Sequence, residues 1–279
     1  MPELPEVETV KRIAEPMIVG RTITGAEVNP YFPGALMGPD GIDAAATIPG
    51  LTIESVSRRG KYLLLKMSNE WFLIVHLRMT GRFLVMDRGA DPVRFQHLAL
   101  QLDNGTDIRF ADQRKFGRVQ LATPEDVAAL SSRLGTEPLN LGFTPFLLGN
   151  AFARRKAPVK SLLLSQDIVA GLGNIYVDEA LFRAGIHPLI PAGELNAIQL
   201  SALVEAIQHV LKQGIRNQGT TFSTFENPYG EAGANASYLR VYGKGGKGEA
   251  CPRCGYELER LVVGGRGTTV CELCQPREV

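Results

Sequence analysis

Four cysteines, Cys251, Cys254, Cys271 and Cys274, stand close together near the C-terminal end of a chain that carries no other cysteine. Their C-x2-C-x16-C-x2-C spacing falls in the range that wraps four thiolates around one Zn2+. Disulfides are rare in reducing compartments, where thiolates stay available for metal. The pattern therefore predicts one structural zinc, held by a C-terminal ribbon in a cytoplasmic protein. Two disulfides in a secreted chain is the competing reading. With thiolates in all four positions no place is left for an activated water, which disfavours a zinc hydrolase.

At 279 residues the chain has room for about two domains of roughly 150 residues each. Lys and Arg number 30 against 29 Asp and Glu, a net charge of +1. That balance excludes a polycationic tail or an acidic disordered chain, but not a local basic track. No apolar run approaches the roughly 18 residues of a membrane span, so no membrane partner is expected. Glu3, Glu6 and Glu8 occupy the place of a basic leader region, so no secretory signal is expected.

A helical pattern opens the chain, with Val7, Val10, Ile13, Ala14 and Met17 at apolar positions. Strand-like segments follow at 51–67, 71–79 and 82–87, and LALQLD and DIRF flank the hairpin signal Asn104-Gly105. Strands in succession without helices predict an antiparallel sandwich or barrel. From Thr123 the character turns helical: Thr123 suits a cap, Pro124 the first turn, and Glu125 and Asp126 the positive helix end. PLNLGFTP reads as a connector. Helices are predicted over 157–166, 174–184 and 194–213, and residues 214–250 read as a long Gly-rich loop. The sum is an α+β chain.

Two places carry chemistry on their own residue types. Removal of Met1 would leave Pro2 as a secondary amine, and an α-amino group with a reference pKa near ~7.7–8.0 is partly unprotonated at neutral pH. Such an amine can attack an electrophilic carbon and form an iminium. While Met1 stays attached, the same nitrogen is an amide with no nucleophilicity. The plain alternative is a helix start, where proline and acidic residues suit the dipole. In GLGN, Gly171 and Gly173 permit close approach of backbone to a ligand, and Asn174 opens a helix whose N–H groups suit an anion.

The opening MPELPEVETVK resembles the formamidopyrimidine-DNA glycosylase family, and the likeness continues through GKYLLL, HLRMTG, DQRKFG, GLGNIYVDEALF, VYGKGGKGEACPRCG and GRGTTVCELCQ. It spans the whole chain in the family's order. The resemblance implies an N-terminal antiparallel β-sandwich with flanking helices (1–136), a helix-two-turns-helix domain (137–236) and a zinc ribbon (237–279). It implies that Pro2 is the nucleophile, that Glu3 is an acid/base assisting sugar-ring opening, and that Glu6 supports them. Lys61 matches a lysine that contacts phosphate beside the lesion and aids catalysis. Met79, Arg114 and Phe116 match the residues that fill the gap left by an extracted base. His97, Lys160 and Asn174 match DNA-contacting positions, and Arg266 matches the arginine at the ribbon's hairpin tip.

The implied activity is removal of oxidised purines from duplex DNA, followed by strand cleavage as a lyase. Two alternatives stand beside it. One is the endonuclease VIII branch, which favours oxidised pyrimidines; Leu4-Pro5 and the long loop at 217–237 resemble the purine type more closely. The other is a non-catalytic DNA-binding module built on the ribbon. A monomer is expected, with damaged duplex DNA as its partner. Lys61, Arg114, Lys160 and Arg266 are expected to form a locally basic track despite the neutral total.

Overall fold

The computed structural model describes residues 1–246 and 248–277. Two compact units divide the chain: Met1–Ser132 with Gly214–Ala236, and Arg133–Gln213 with Ser237–Val279. The units cut across the three regions read from the sequence. Residues 214–236 fold with the sandwich, and the ribbon folds with the helices.

The first unit opens with α1 (Leu4–Ile18) and then runs through β1 (Ile23–Val28), β2 (Leu36–Met37), α2 (Ala44–Thr47), β3 (Ile53–Arg59), β4 (Tyr62–Met67), β5 (Phe72–His76), β6 (Gly81–Asp87), β7 (Gln96–Leu102), β8 (Thr106–Asp112), β9 (Arg118–Ala122) and α3 (Pro124–Ser132). The strands form a sheet in the order β1-β7-β8-β6 and a second in the order β2-β9-β5-β4-β3. Every pairing is antiparallel except the short one of β2 with β9. Leu65, Val75, Phe83 and Phe110 share one core with Val7 and Val10 of α1, so residues of both sheets interdigitate as in a sandwich. The opposite face of the five-stranded sheet is also covered: Leu64, Ile74 and Ala122 pack with Val127 and Leu130 of α3. Burial on both faces explains why YLLLKM and FLIVH read as continuous apolar runs instead of alternating ones.

Three local readings sharpen. The 51–67 segment is a hairpin that turns at Gly60 and Lys61, while β7 and β8 meet at Asn104-Gly105 as the sequence predicts. The strand expected over 71–79 stops at His76, and residues 77–80 turn. Met79 thus lies in a turn, half-buried, and not at a strand end.

In the second unit, α4 (Pro145–Phe152), α5 (Val159–Leu163), α6 (Asn174–Ala184) and α7 (Ala197–Arg216) precede the hairpin of β10 (Glu259–Val263) and β11 (Arg266–Val270). The last turn of α7 begins the chain segment that joins the first unit. Helix α6 covers the predicted span without error. Helix α4 begins inside the stretch that reads as a connector; Thr144 caps it, its hydroxyl accepting the Leu147 N–H at 3.2 Å, and Pro145 occupies its first turn.

Candidate active site

In the first unit the start of α1 is built around two carboxylates. Glu3 is the N-cap residue; its side chain accepts the Glu6 N–H, and Glu6 Oε2 accepts the Glu3 N–H at 2.8 Å, a reciprocal capping box. The second oxygen of Glu6 accepts the Thr220 N–H at 2.7 Å. Pro2 is buried beside them, and Glu3 and Glu6 are 3% and 1% exposed. Glu6 therefore joins the chain's N-terminal end to a segment more than two hundred residues away (|i−j| = 214). Gly219 makes that approach possible. Its φ is +85°, and a Cβ there would lie 2.7 Å from the Phe225 ring and 3.1 Å from Glu6 Cγ.

Lys61 sits in the β3–β4 turn and is buried. Arg58, on the strand before it, donates to Gly60 O at 2.8 Å and to Glu8 Oε2 on α1 at 3.0 Å. This clamp ties the turn carrying Lys61 to the helix that begins at Glu3. Arg12 and Arg58 hold the Glu8 carboxyl below its ordinary pKa against the opposing effect of burial.

The HLRMTG and DQRKFG motifs lie in neighbouring turns. Arg114, Lys115 and Phe116 are exposed, and the Arg114 guanidinium lies 4.7 Å from the Phe116 ring centre. Beneath them Asp112, 1% exposed, accepts the Phe116 and Gly117 N–H groups, both at 2.7 Å. His76 is buried, and its Nδ1 accepts the Arg78 N–H at 2.9 Å. Burial lowers its imidazole pKa from 6.5 to about 3, with the charges of Arg78 and Lys61 acting in the same direction.

His97 turns inward: its Nε2 lies 2.9 Å from Asp112 O, and its ring meets Phe32 edge-on. At 4% exposure it supports the DQRKFG turn from behind.

In the second unit Lys160 is fully buried. Its ammonium reaches Asp178 Oδ1 at 2.5 Å, Thr268 Oγ1 at 2.7 Å and Gly267 O at 3.1 Å. Lys160 matches a DNA-contacting position by resemblance; here its charge is held in an ion pair that anchors the hairpin to α5 and α6. Burial pushes the Asp178 carboxyl up to about 6, with Lys160 acting against that shift. Asn174, the first residue of α6, donates from Nδ2 to the same Gly267 O at 2.8 Å, and its buried Oδ1 has no hydrogen-bond partner among the described residues. Arg266, next to that anchored glycine, is exposed at the start of β11.

The four cysteine sulfurs lie within 4.8 Å of one another. Cys251 to Cys274 is 3.9 Å and Cys254 to Cys271 is 3.5 Å. Tetrahedral thiolates around zinc at ~2.3 Å stand about 3.8 Å apart, so these residues fit one structural zinc.

A sequence model described as the formamidopyrimidine-DNA glycosylase N-terminal domain matches residues 1–119, and the H2TH domain of the same enzymes matches residues 134–226. The chain belongs to the formamidopyrimidine-DNA glycosylase family. A zinc finger found in these proteins and in IleRS matches residues 248–277. The formamidopyrimidine-DNA glycosylases of Chloroflexus aurantiacus and Herpetosiphon aurantiacus are 46% and 44% identical to it, each over 99% of this chain and over 98% and 100% of their own. Among solved structures, the Lactococcus lactis Fpg with abasic-site DNA superposes at a TM-score of 0.89, with 36% identity and 98% and 99% of the two chains covered. The same enzyme with DNA containing an oxidised pyrimidine gives 0.89 at 36% identity, covering 99% and 100%.

Asp112, Asp178, His76 and Thr220 carry no mark in the sequence that sets them apart as site residues. The first three stand inside motifs whose basic and apolar members draw the eye. Thr220 carries no signal, because its part in the site is played by backbone.

Proposed function

We propose that this chain is a bifunctional DNA repair glycosylase and lyase whose nucleophile is the Pro2 nitrogen exposed by removal of Met1. The observation that carries the reading is the pair of buried carboxylates at the start of α1, Glu3 and Glu6, set beside Pro2 and braced by Thr220. The lone pair of the amine attacks C1′ of the damaged nucleotide and the C1′–base bond breaks, the base leaving with a proton. Glu3 donates a proton to the ring oxygen as the sugar opens and the iminium forms. The iminium acidifies the C2′ proton, and its loss expels the 3′ phosphate; a second elimination releases the 5′ phosphate. Lys61, clamped through Arg58 and Glu8, meets the phosphate beside the lesion.

Met79, Arg114 and Phe116 fill the gap left by the everted base: the two apolar groups replace stacking, and the arginine hydrogen-bonds the widowed partner. Asn174 and Arg266 contact the DNA backbone. Oxidised purines are the substrate, and the 217–237 segment covers the everted base. The Lactococcus lactis complex with an oxidised pyrimidine favours a second, minor activity on such bases. No helix among the described residues is long and apolar enough to cross a membrane, and we read the enzyme as a cytoplasmic monomer.

Borohydride trapping on an abasic-site duplex tests the reading, with the N-terminal residue established by intact mass. Protein lacking Met1 forms a covalent adduct, and a Pro2→Thr variant does not. Tight binding without an adduct would establish the non-catalytic module instead, and trapping by protein that retains Met1 would remove Pro2 from the mechanism.

A further inference from the structure

Both turns assigned to gap filling carry a left-handed residue just ahead of the apolar group. Arg78 precedes Met79 at φ +53°, and Lys115 precedes Phe116 at φ +57°. Side chains with a Cβ avoid this region, so each turn must be held in place by its surroundings. One buried carboxylate reaches both. Asp112 Oδ1 accepts the Thr80 hydroxyl, from the residue after Met79, and the Arg114 N–H at 3.1 Å. Asp112 Oδ2 accepts the Phe116 and Gly117 N–H groups.

The surrounding fold keeps that carboxylate fixed. The Asp112 N–H donates to Phe95 O at 3.0 Å, and its carbonyl meets His97 Nε2. At Gly117 a Cβ would lie 2.6 Å from the Phe110 ring, 3.2 Å from Asp112 Oδ2 and 3.2 Å from His76 O. Only glycine lets the chain close around the carboxylate there. Four donors on one buried carboxyl group make a directional anchor.

We propose that Asp112 is a positioning residue that locks the Met79 turn to the Arg114–Phe116 loop, so that the three side chains enter the duplex as one preformed wedge. The proposal rests on the gap-filling assignment above. It makes insertion, rather than bond breaking, the step that depends on Asp112. Loops ordered before binding spare the entropy of ordering them on the DNA.

The test compares two substrates in Asp112→Ser and Asp112→Asn: excision of 8-oxoguanine from a duplex, and borohydride trapping on a single-stranded abasic oligonucleotide, which has no base to evert and no partner to fill against. Asp112→Ser is expected to slow duplex excision at least ten-fold and to blunt discrimination of the opposite base, while single-strand trapping changes no more than two-fold. Asp112→Asn retains one oxygen for the Phe116 and Gly117 N–H groups and is expected to fall between. If Asp112→Ser is poorly folded, Thr80→Val, which removes the hydroxyl that donates to Asp112 and accepts the Arg114 N–H at 3.2 Å while leaving the Asp112 bonds to Phe116 and Gly117, is expected to show the same split on a smaller scale. Equal loss on both substrates, or unaltered duplex excision and opposite-base discrimination in a folded variant, overturns the proposal. Failure of the unsubstituted, Met1-free protein to trap would instead overturn the catalytic reading on which it rests.

Discussion

His76 shows how one buried side chain can be fixed in a single protonation state. Its Nδ1 accepts the Arg78 N–H, so the ring proton must reside on Nε2, and charging the ring would set a second proton against that donor and a positive charge near Arg78 and Lys61. With the folded pKa lowered from 6.5 to about 3, the unfolded chain binds a proton across that interval that the folded chain does not. This contribution to stability is complete above 6.5 and is lost as pH falls toward 3. Its slope is about 1.4 kcal/mol per pH unit. In His76→Asn the amide oxygen accepts the same N–H without titrating. Denaturant midpoints between pH 6.5 and 4.5 should therefore fall more steeply in the unsubstituted protein than in the variant; parallel curves would show that the ring is not held neutral. Lys160 makes the complementary point. A lysine in ARRKAPVKSLL looks like a surface cation, and only partners as distant in sequence as Asp178 and Thr268 make it an interior one.

The zinc hairpin is too small to hold itself together by burial. Its apolar cluster consists of Phe182, Val241, Leu258, Cys251 and Cys271, with Cys274 packed against it, so metal coordination must supply much of its order. Lys160, Asn174 and Asp178 fasten one end of the hairpin to α5 and α6, but they grip Gly267 and Thr269 and leave the β10 side to the metal. Chelation, or Cys254→Ser, should therefore speed amide exchange in β10 and β11 strongly while leaving β4, β5 and β8 protected. Retained protection in the hairpin would mean that the anchor alone suffices.

Elements such as α6 and the β7–β8 hairpin are legible because their signals are local: a Gly-x-Gly start, and Asn-Gly between apolar runs. The zinc set is legible from spacing alone. Helix α4 is not, since its eight residues are too few to establish a period against the flanking Gly and Pro. In the proposed site, Pro2 and Glu3 need the family likeness, because a helix cap and the proposed nucleophile are spelled with the same residues. The Glu6–Thr220 bond depends on a loop closing on the helix start, which no local pattern announces.

At the scale of the whole molecule, the near-zero total conceals a sorting of charge by depth. Among the described residues, Glu3, Glu6, Asp107, Asp112, Asp178 and Glu179 are buried acids, against the buried cations Lys61, Arg109 and Lys160. The acids act as acceptors for backbone, as when Glu179 takes the N–H groups of Arg240, Val241 and Tyr242. The solvent-facing surface is therefore more basic than the +1 total, with Arg78, Arg114, Lys115 and Arg266 among its exposed cations. Binding to DNA should weaken as salt rises, and each phosphate that the protein ceases to neutralise should make the log–log slope shallower by about 0.9. Arg266→Ala is expected to show that change by fluorescence anisotropy on an abasic duplex. Lys160→Met with Asp178→Leu removes a cation from the interior together with its partner, leaving no unpaired buried charge, and should keep the original slope. If this double variant flattened the slope as Arg266→Ala does, Lys160 would be a phosphate ligand after all, and burial would have misassigned it.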